Sequence, residues 1–248
     1  MKSENEAERV CDNFGLLNES PKLKLDKNAG HRERLRKRFE KSRFEGFNDY
    51  EVLELLLTYS IPRKDTKDLS KNLLKRFGSI QEILASDTEE LKQIDGLGKQ
   101  SVIFIKVLNE FIKFYFENRA ENNEIQFTEL EQTAAYFKAT IGSYKNEVVK
   151  VLYLNAHNEM IHSEILSEGT VNESYLPISR IVETALKYKT TSVIVAHNHP
   201  SGDPEPSRFD NAITKKIGEA LAIVDIDLQD HIIIARKGFY SYRQQGKL

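Results

Sequence analysis

The sequence predicts a helical first half followed by an α/β or α+β second half. Three observations carry that expectation. Between His31 and Arg119 apolar residues recur three and four apart, as on the buried stripe of a helix. Around residues 120–123 the composition turns polar, which suits a boundary. After one more helical stretch, short β-branched and aromatic runs alternate with helical segments, the pattern of strands joined through helices.

Taken in order, residues 1–28 mix charges with Asn, Ser and a Pro and show no sustained period, so they are expected to be a flexible tail. A helical domain is expected over 29–120, with apolar stripes at Leu35 and Phe39, at Val52, Leu53, Leu56 and Leu57, at Leu69, Leu73 and Leu74, and at Val102, Ile105, Phe111 and Phe114. Breaks fall at Gly46, Ile61-Pro62, Gly78 and Gly96-Leu97-Gly98, and Asp49, Asp65, Ser79 and Asp87 are suited to N-caps. The second domain is expected over 125–248. It begins with a helix over about 128–140 and continues with strands over 148–154, 160–166, 192–196 and 232–235. Helices are expected over 178–188, where Pro177 suits the start, and over 208–224.

With 40% apolar and 30% charged residues, the chain has the make-up of an ordinary soluble globular protein. Its most apolar stretches, 102–116 and 148–154, are broken by Lys106, Glu110, Lys113 and Lys150, so no bilayer-spanning helix is expected. The N-terminus shows no secretory-type apolar run, and Cys11 is the sole cysteine; the cytoplasm is the expected compartment. A single cysteine also means that a zinc site here would be built from His and carboxylate ligands. Lys plus Arg minus Asp plus Glu is 23 − 21 = +2 for residues 1–120 and 13 − 17 = −4 for the remainder. The one basic run is Arg32, Arg34, Arg36, Lys37, Arg38, Lys41 and Arg43.

The chemistry concentrates after the strand expected at 192–196, which runs into His197-Asn198-His199-Pro200-Ser201-Gly202. Residues two apart on an extended chain point to the same side, so both imidazoles can reach one ion, and the Pro-Ser-Gly turn opens the site at a strand end. A polar loop then leads to Ser207-Arg-Phe-Asp210 at the start of a helix striped by Ala212, Ile213, Ile217, Ala220 and Leu221. Asp210 can supply a third ligand, and three protein ligands leave the open position of a catalytic zinc. Ser207-x-x-Asp210 also reads as a helix capping box, and the two readings are compatible.

His197-x-His199, seven residues, then Ser207-x-x-Asp210 resembles the JAMM motif of the JAB1/MPN metalloproteases. More narrowly, the run from His197 to Asp210, together with Glu168-Gly-Thr-Val, Leu176-Pro-Ile-Ser-Arg180 and Asp230-His231-Ile-Ile-Ile, resembles the bacterial RadC proteins. Gly30-His-Arg-Glu-Arg-Leu-Arg, Glu54-Leu-Leu-Leu, Ile61-Pro-Arg-Lys-Asp and Ile94-Asp-Gly-Leu-Gly-Lys extend the likeness into the helical half. Leu176 to Arg180 depart from the His-Pro-Arg-Glu usual in relatives. The resemblance implies a JAB1/MPN-type, cytidine deaminase-like three-layer domain holding Zn2+ through His197, His199 and Asp210, and hydrolysis of a peptide or isopeptide amide by a zinc-activated water. It also implies a glutamate base, for which Glu147 is favoured by analogy and Glu164 stays open, and Ser207 as donor to the developing oxyanion.

Of the other histidines, His157 is expected in a turn and His162 on a strand, both without a role. His231 is expected either to support the site from behind or to be a satisfied buried histidine. His31 opens the basic helix and shows no metal partner. Residues Leu91 to Ser101 resemble a helix-hairpin-helix, whose Gly-x-Gly turn lets backbone N–H groups approach a phosphate beside Lys99, so DNA is a further partner for the helical domain. Three functional classes follow: an amide hydrolase with a helical adaptor, a DNA-associated protein whose metal acts on DNA, and a binding module. The letters H-N-H also occur in HNH nucleases, but those place their histidines on separate parts of a ββα hairpin, unlike the spacing here.

Overall fold

The computed structural model describes residues 27–168 and 176–248. The tail expected over 1–28 falls outside these apart from its last two residues, which already belong to the first helix. Six helices make up the first part: α1 (Lys27–Ser42), α2 (Asp49–Ser60), α3 (Lys67–Phe77), α4 (Ile80–Ala85), α5 (Thr88–Lys92) and α6 (Lys99–Glu121). The apolar stripes of α2 to α6 meet in one core of Leu53, Leu57, Leu73, Ile83, Leu91, Val102 and Ile105, whereas Phe111 and Phe114, expected on the stripe of α6, are exposed. Ser79 caps α4 by accepting the Glu82 N–H at 3.1 Å, and Asp87 caps α5. Asp49 and Asp65 are each one residue away from the N-cap expected of them. Asn48 and Thr66 occupy those positions, and Asp65 instead accepts the Lys67 N–H at 2.9 Å.

Much of the basic run on α1 is engaged within the fold. Arg32 donates to the Pro62 carbonyl, Arg38 bonds Glu51 at 2.8 Å and the Gly46 carbonyl, and Arg36 lies over the Tyr59 ring. Arg34, Lys37 and Lys41 remain exposed.

The second part comprises α7 (Leu130–Thr140), β1 (Val148–Leu154), β2 (Met160–Glu168), α8 (Ile178–Lys187), β3 (Ser192–His199), α9 (Arg208–Ala222), β4 (Asp227–Ala235) and β5 (Gly238–Ser241). The strands form one sheet in the order β2-β1-β3-β4-β5, in which only β3 and β4 pair in parallel. Alternation sorts its side chains into two layers. Val148, Leu152, Leu154, Ile194, Ala196, Ile232 and Ile234 pack with Tyr136 and Phe137 of α7. Val149, Val151, Tyr153, Val193 and Val195 pack with Ile181 and Ala185 of α8 and Ile217 and Leu221 of α9. The chain is therefore a helical part joined to a mixed α+β part with helices on both faces of its sheet.

Three strand boundaries differ from expectation. β2 runs on to Glu168, β3 continues through both histidines, and β4 begins five residues before the expected Ile232, its polar first half having given no strand signal. Those polar groups are bonded: Gln229 accepts from Ser192 Oγ at 3.0 Å and donates to the Phe127 carbonyl at 2.9 Å, while Asp230 accepts from Ser241 Oγ at 2.5 Å. The short edge strand β5 was not expected. Between the two parts, buried Lys150 of β1 pairs with Glu117 of α6, which also accepts the Tyr136 hydroxyl proton at 2.6 Å. Burial lowers the Lys150 pKa, and Glu117 works against that. No helix among the described residues is long and apolar enough to cross a membrane.

Leu152 is fully buried on the central strand β1, whereas Ile223, just past α9, is 83% exposed. In urea unfolding, Leu152→Ala is expected to cost about 2–5 kcal/mol, and Ile223→Ala to stay within about 0.5 kcal/mol of the parent.

Candidate metal centre

β3 carries His197 and His199 on the face that α9 covers, and Asn198 on the opposite face. The two Nε2 atoms lie 3.0 Å apart. Gly202, at φ +87°, turns the chain back after His199, its N–H donating to the His199 carbonyl at 3.0 Å.

Asp210 is delivered by a helix cap. Its N–H donates to Ser207 Oγ at 3.1 Å, and its Oδ2 accepts the Ser207 N–H at 2.7 Å, so the box that starts α9 also aims the carboxylate. Oδ1 then lies 3.3 Å from His197 Nε2 and Oδ2 3.5 Å from His199 Nε2. Burial acts to raise the Asp210 pKa, but His197, His199 and Ser207 outweigh it and hold the carboxyl far below its usual range. The Ser207 side chain thus meets both the N–H and the carboxylate of Asp210.

Hydrogen bonds on the outer nitrogens decide how the histidines face inward. His199 Nδ1 is 2.8 Å from the Asp203 carbonyl, which can only accept, so Nδ1 carries a proton and Nε2 is the nitrogen turned inward, where the hydrogen bond to Asp210 raises the pKa of the ring. For His197 the chain of logic is longer. Thr214 donates to the Asp210 carbonyl at 2.5 Å, so its oxygen accepts from His231 Nδ1, also at 2.5 Å. His231 Nε2 is then an acceptor for His197 Nδ1 at 2.9 Å, and His197 Nε2 is turned toward His199 and Asp210. His231 is wholly buried, which lowers its pKa and favours the neutral ring that this chain requires, and it stacks on Tyr242. Two imidazole nitrogens and a carboxylate thus converge, the donor set that suits a divalent cation once it displaces the protons between them.

Glu147, immediately before β1, completes a group of four. One ligand atom each from Glu147, His197, His199 and Asp210 lies within 4.8 Å of the others, and Glu147 Oε1 is 3.8 Å from His197 Nε2. This is the one such group among the described residues, and it could hold a metal ion.

Glu164 lies elsewhere, on β2 facing α8. It accepts from the Tyr153 hydroxyl at 2.8 Å and the Thr184 hydroxyl at 3.0 Å, and it pairs with Arg180 at 2.7 Å. That gives Arg180 a structural partner. Residues 169–175 of the Glu168-Gly-Thr-Val region lie outside the described residues. His31 bonds Glu54 at 2.8 Å, His157 is exposed in a turn, and His162 stacks between Tyr153 and Tyr188.

Sequence reasoning missed Thr214 and Asn198. The spacing of Thr214, one helical turn after Asp210, was the available signal for the first. For the second, alternation alone puts Asn198 opposite the histidines.

Burial acts to raise the Glu164 pKa, but bonds from Tyr153, Thr184 and Arg180 hold it below its usual value. Its stabilising effect is therefore present above the unfolded glutamate pKa of about 4.3 and is lost as pH falls through the lower folded value. Glu164→Gln should cost about 1–3 kcal/mol in urea unfolding at neutral pH. That cost should shrink toward zero in unfolding curves recorded in strong acid.

The chain matches the RadC-like JAB domain over residues 127–247, the stretch that contains the sheet, its covering helices and all four clustered side chains. Over 225 residues it is 36% identical to the UPF0758 protein FN0909 of Fusobacterium nucleatum, covering 88% of this chain and 97% of that protein. The likeness thus takes in the helical part as well, and the chain belongs to the RadC-like JAB family.

Proposed function

We propose that this protein is a zinc-dependent hydrolase of JAMM type that cleaves a peptide or isopeptide amide in the cytoplasm. The observation that carries the reading is the convergence of His197 Nε2, His199 Nε2 and the Asp210 carboxylate, with both rings held by bonds on their outer nitrogens. These three residues would hold the ion, leaving one position open. Zinc there would supply Lewis-acid polarisation of the scissile carbonyl and lower the pKa of a bound water to about 7.

The remaining work falls to the chain's own groups. Glu147, partly exposed at the edge of the cluster, takes a proton from the attacking water as its oxygen bonds to the carbonyl carbon. The same carboxyl returns the proton to the departing nitrogen as the C–N bond breaks. The Ser207 hydroxyl donates to the carbonyl oxygen as it gains charge. Glu164 is not needed for this role, since its oxygens are engaged by Tyr153, Thr184 and Arg180.

Purified protein is expected to carry about one zinc per chain, as in single-metal sites of this donor set. His197→Ala and Asp210→Ala should each empty the site, and full occupancy in both would sink the ligand assignment. Glu147→Gln should keep the zinc yet lower hydrolysis of a peptide and isopeptide panel by about 100-fold or more. Glu164→Gln should leave turnover within a few-fold of the parent. Unimpaired turnover by Glu147→Gln would remove the proposed base.

For the helical part we propose a DNA-contacting adaptor role. Gly96 takes φ +86°, Gly98 caps α6 with open space where a Cβ would stand, and Lys99 is exposed beside them. Backbone N–H groups of α6 are therefore approachable by a phosphate. Lys99→Glu should weaken binding to duplex DNA, measured by fluorescence anisotropy, and reduce the slope of log affinity against log salt by about one. An isotherm identical to the parent's would dismiss the hairpin.

A further inference from the structure

Asn198, between the two histidines of β3, points away from them and is 2% exposed. All of its side-chain bonds go to the backbone of one short segment. Oδ1 accepts the Val148 N–H at 2.7 Å, and Nδ2 donates to the carbonyls of Tyr144 at 2.9 Å and Asn146 at 3.1 Å. The regular β1–β3 ladder reaches the pair Val149 and His197, and at the next step the Asn198 carboxamide takes the place of a strand backbone. Alternation along β1 puts Val149 and Val151 on the face of His197, and Glu147, two residues before Val149, on that same face. The segment that Asn198 grips from behind is the one that presents Glu147 in front.

The outer side of this segment is held as well. Lys145 bonds Asp87 at 2.7 Å and Glu90 at 2.6 Å on α5, and the Lys113 ammonium of α6 lies 4.5 Å from the centre of the Tyr144 ring. Of the outer tethers, those of Lys145 are exposed ion pairs, individually weak in water. The Asn198 bonds are buried, where an unmatched donor or acceptor is costly.

We propose that Asn198 is the positioning residue for Glu147: its carboxamide clamps residues 144–148 against β3 and so holds the Glu147 carboxylate over the cluster of His197, His199 and Asp210. The role rests on the reading of those three residues as zinc ligands. Only a carboxamide meets the geometry, because one N–H and two carbonyls must be satisfied together. An aspartate would turn a carboxylate oxygen toward two carbonyls, and an aliphatic side chain would leave all three groups unbonded.

The test is a double-mutant cycle on zinc affinity, measured on the full chain by competition with a chromophoric chelator. Removing a charge or an orienting group just outside a metal's ligands typically weakens affinity by about 10-fold, and that is the loss expected for both Glu147→Gln and Asn198→Ala. Because the two changes act through one carboxylate, the double variant should lose no more than either single. A double variant weakened by about 100-fold, the product of independent effects, would overturn the proposal. So would parent affinity in either single variant.

Hydrogen exchange supplies a second measurement that does not depend on Asn198→Ala folding. In the parent, the Val148 amide should be as protected as the interior amides of β1. Exchange at the rate of an exposed loop would overturn the clamp. None of these readouts needs turnover. A protein that shows the cycle but hydrolyses nothing keeps the clamp and loses the hydrolase reading, whereas a protein that binds no zinc loses the ligand assignment and leaves the exchange test to decide the clamp.

Discussion

Alternation along β3 is the constraint on which the site depends. A strand sends successive side chains to opposite faces, so His197 and His199 must share the face covered by α9, and Asn198 must serve the other. A slip of one residue would point both imidazoles into the layer of Phe137 and Leu152 and would turn Asn198 toward Asp210. β3 resists such a slip because it is flanked on both sides, antiparallel to β1 and parallel to β4, and Val193, Ile194, Val195 and Ala196 are all buried.

Several buried polar groups in the second part of the chain are matched in a way that also places something, although the buried Ser143 and Thr190 hydroxyls have no partner among the described residues. The bond from Thr214 to the Asp210 carbonyl is a local helix contact, yet it sets which nitrogen of His231 carries a proton and, through it, the tautomer of His197. The Ser207 and Asp210 cap stabilises the start of α9 and aims a carboxylate. Lys150 gives up much of its hydration within the sheet, and its partner Glu117 ties α6 to β1. Such groups contribute less to net stability than apolar packing of the same volume, and here they determine orientation.

Much of this was legible in the sequence for physical reasons. The three-and-four spacing of leucines in the first half, and β-branched runs such as Val148 to Leu154, are direct imprints of burial. Two histidines on one extended segment, followed by Ser207-x-x-Asp210, reveal a shared focus because strand and helix-cap geometry are local. Less legible was whatever depends on contacts between distant segments. The first half of β4 looked like loop because Asp227, Gln229, Asp230 and His231 are polar, and they are tolerated there through partners as far away as Phe127. No local spacing could separate Glu147 from Glu164. The structure distinguishes their surroundings, since Tyr153, Thr184 and Arg180 surround Glu164 whereas Glu147 borders the histidines.

The cap that aims Asp210 bears on how this region tolerates change in chain length. Asp210 takes its direction from Ser207, three residues away in the same helix, and His199 takes its tautomer from the carbonyl of Asp203, four residues on. Pro204, Glu205 and Pro206 lie between these two local anchors. Residues can therefore be inserted or removed in that stretch while each anchor stays with its own side chain, so the rim of the cluster can be resized without rebuilding its floor.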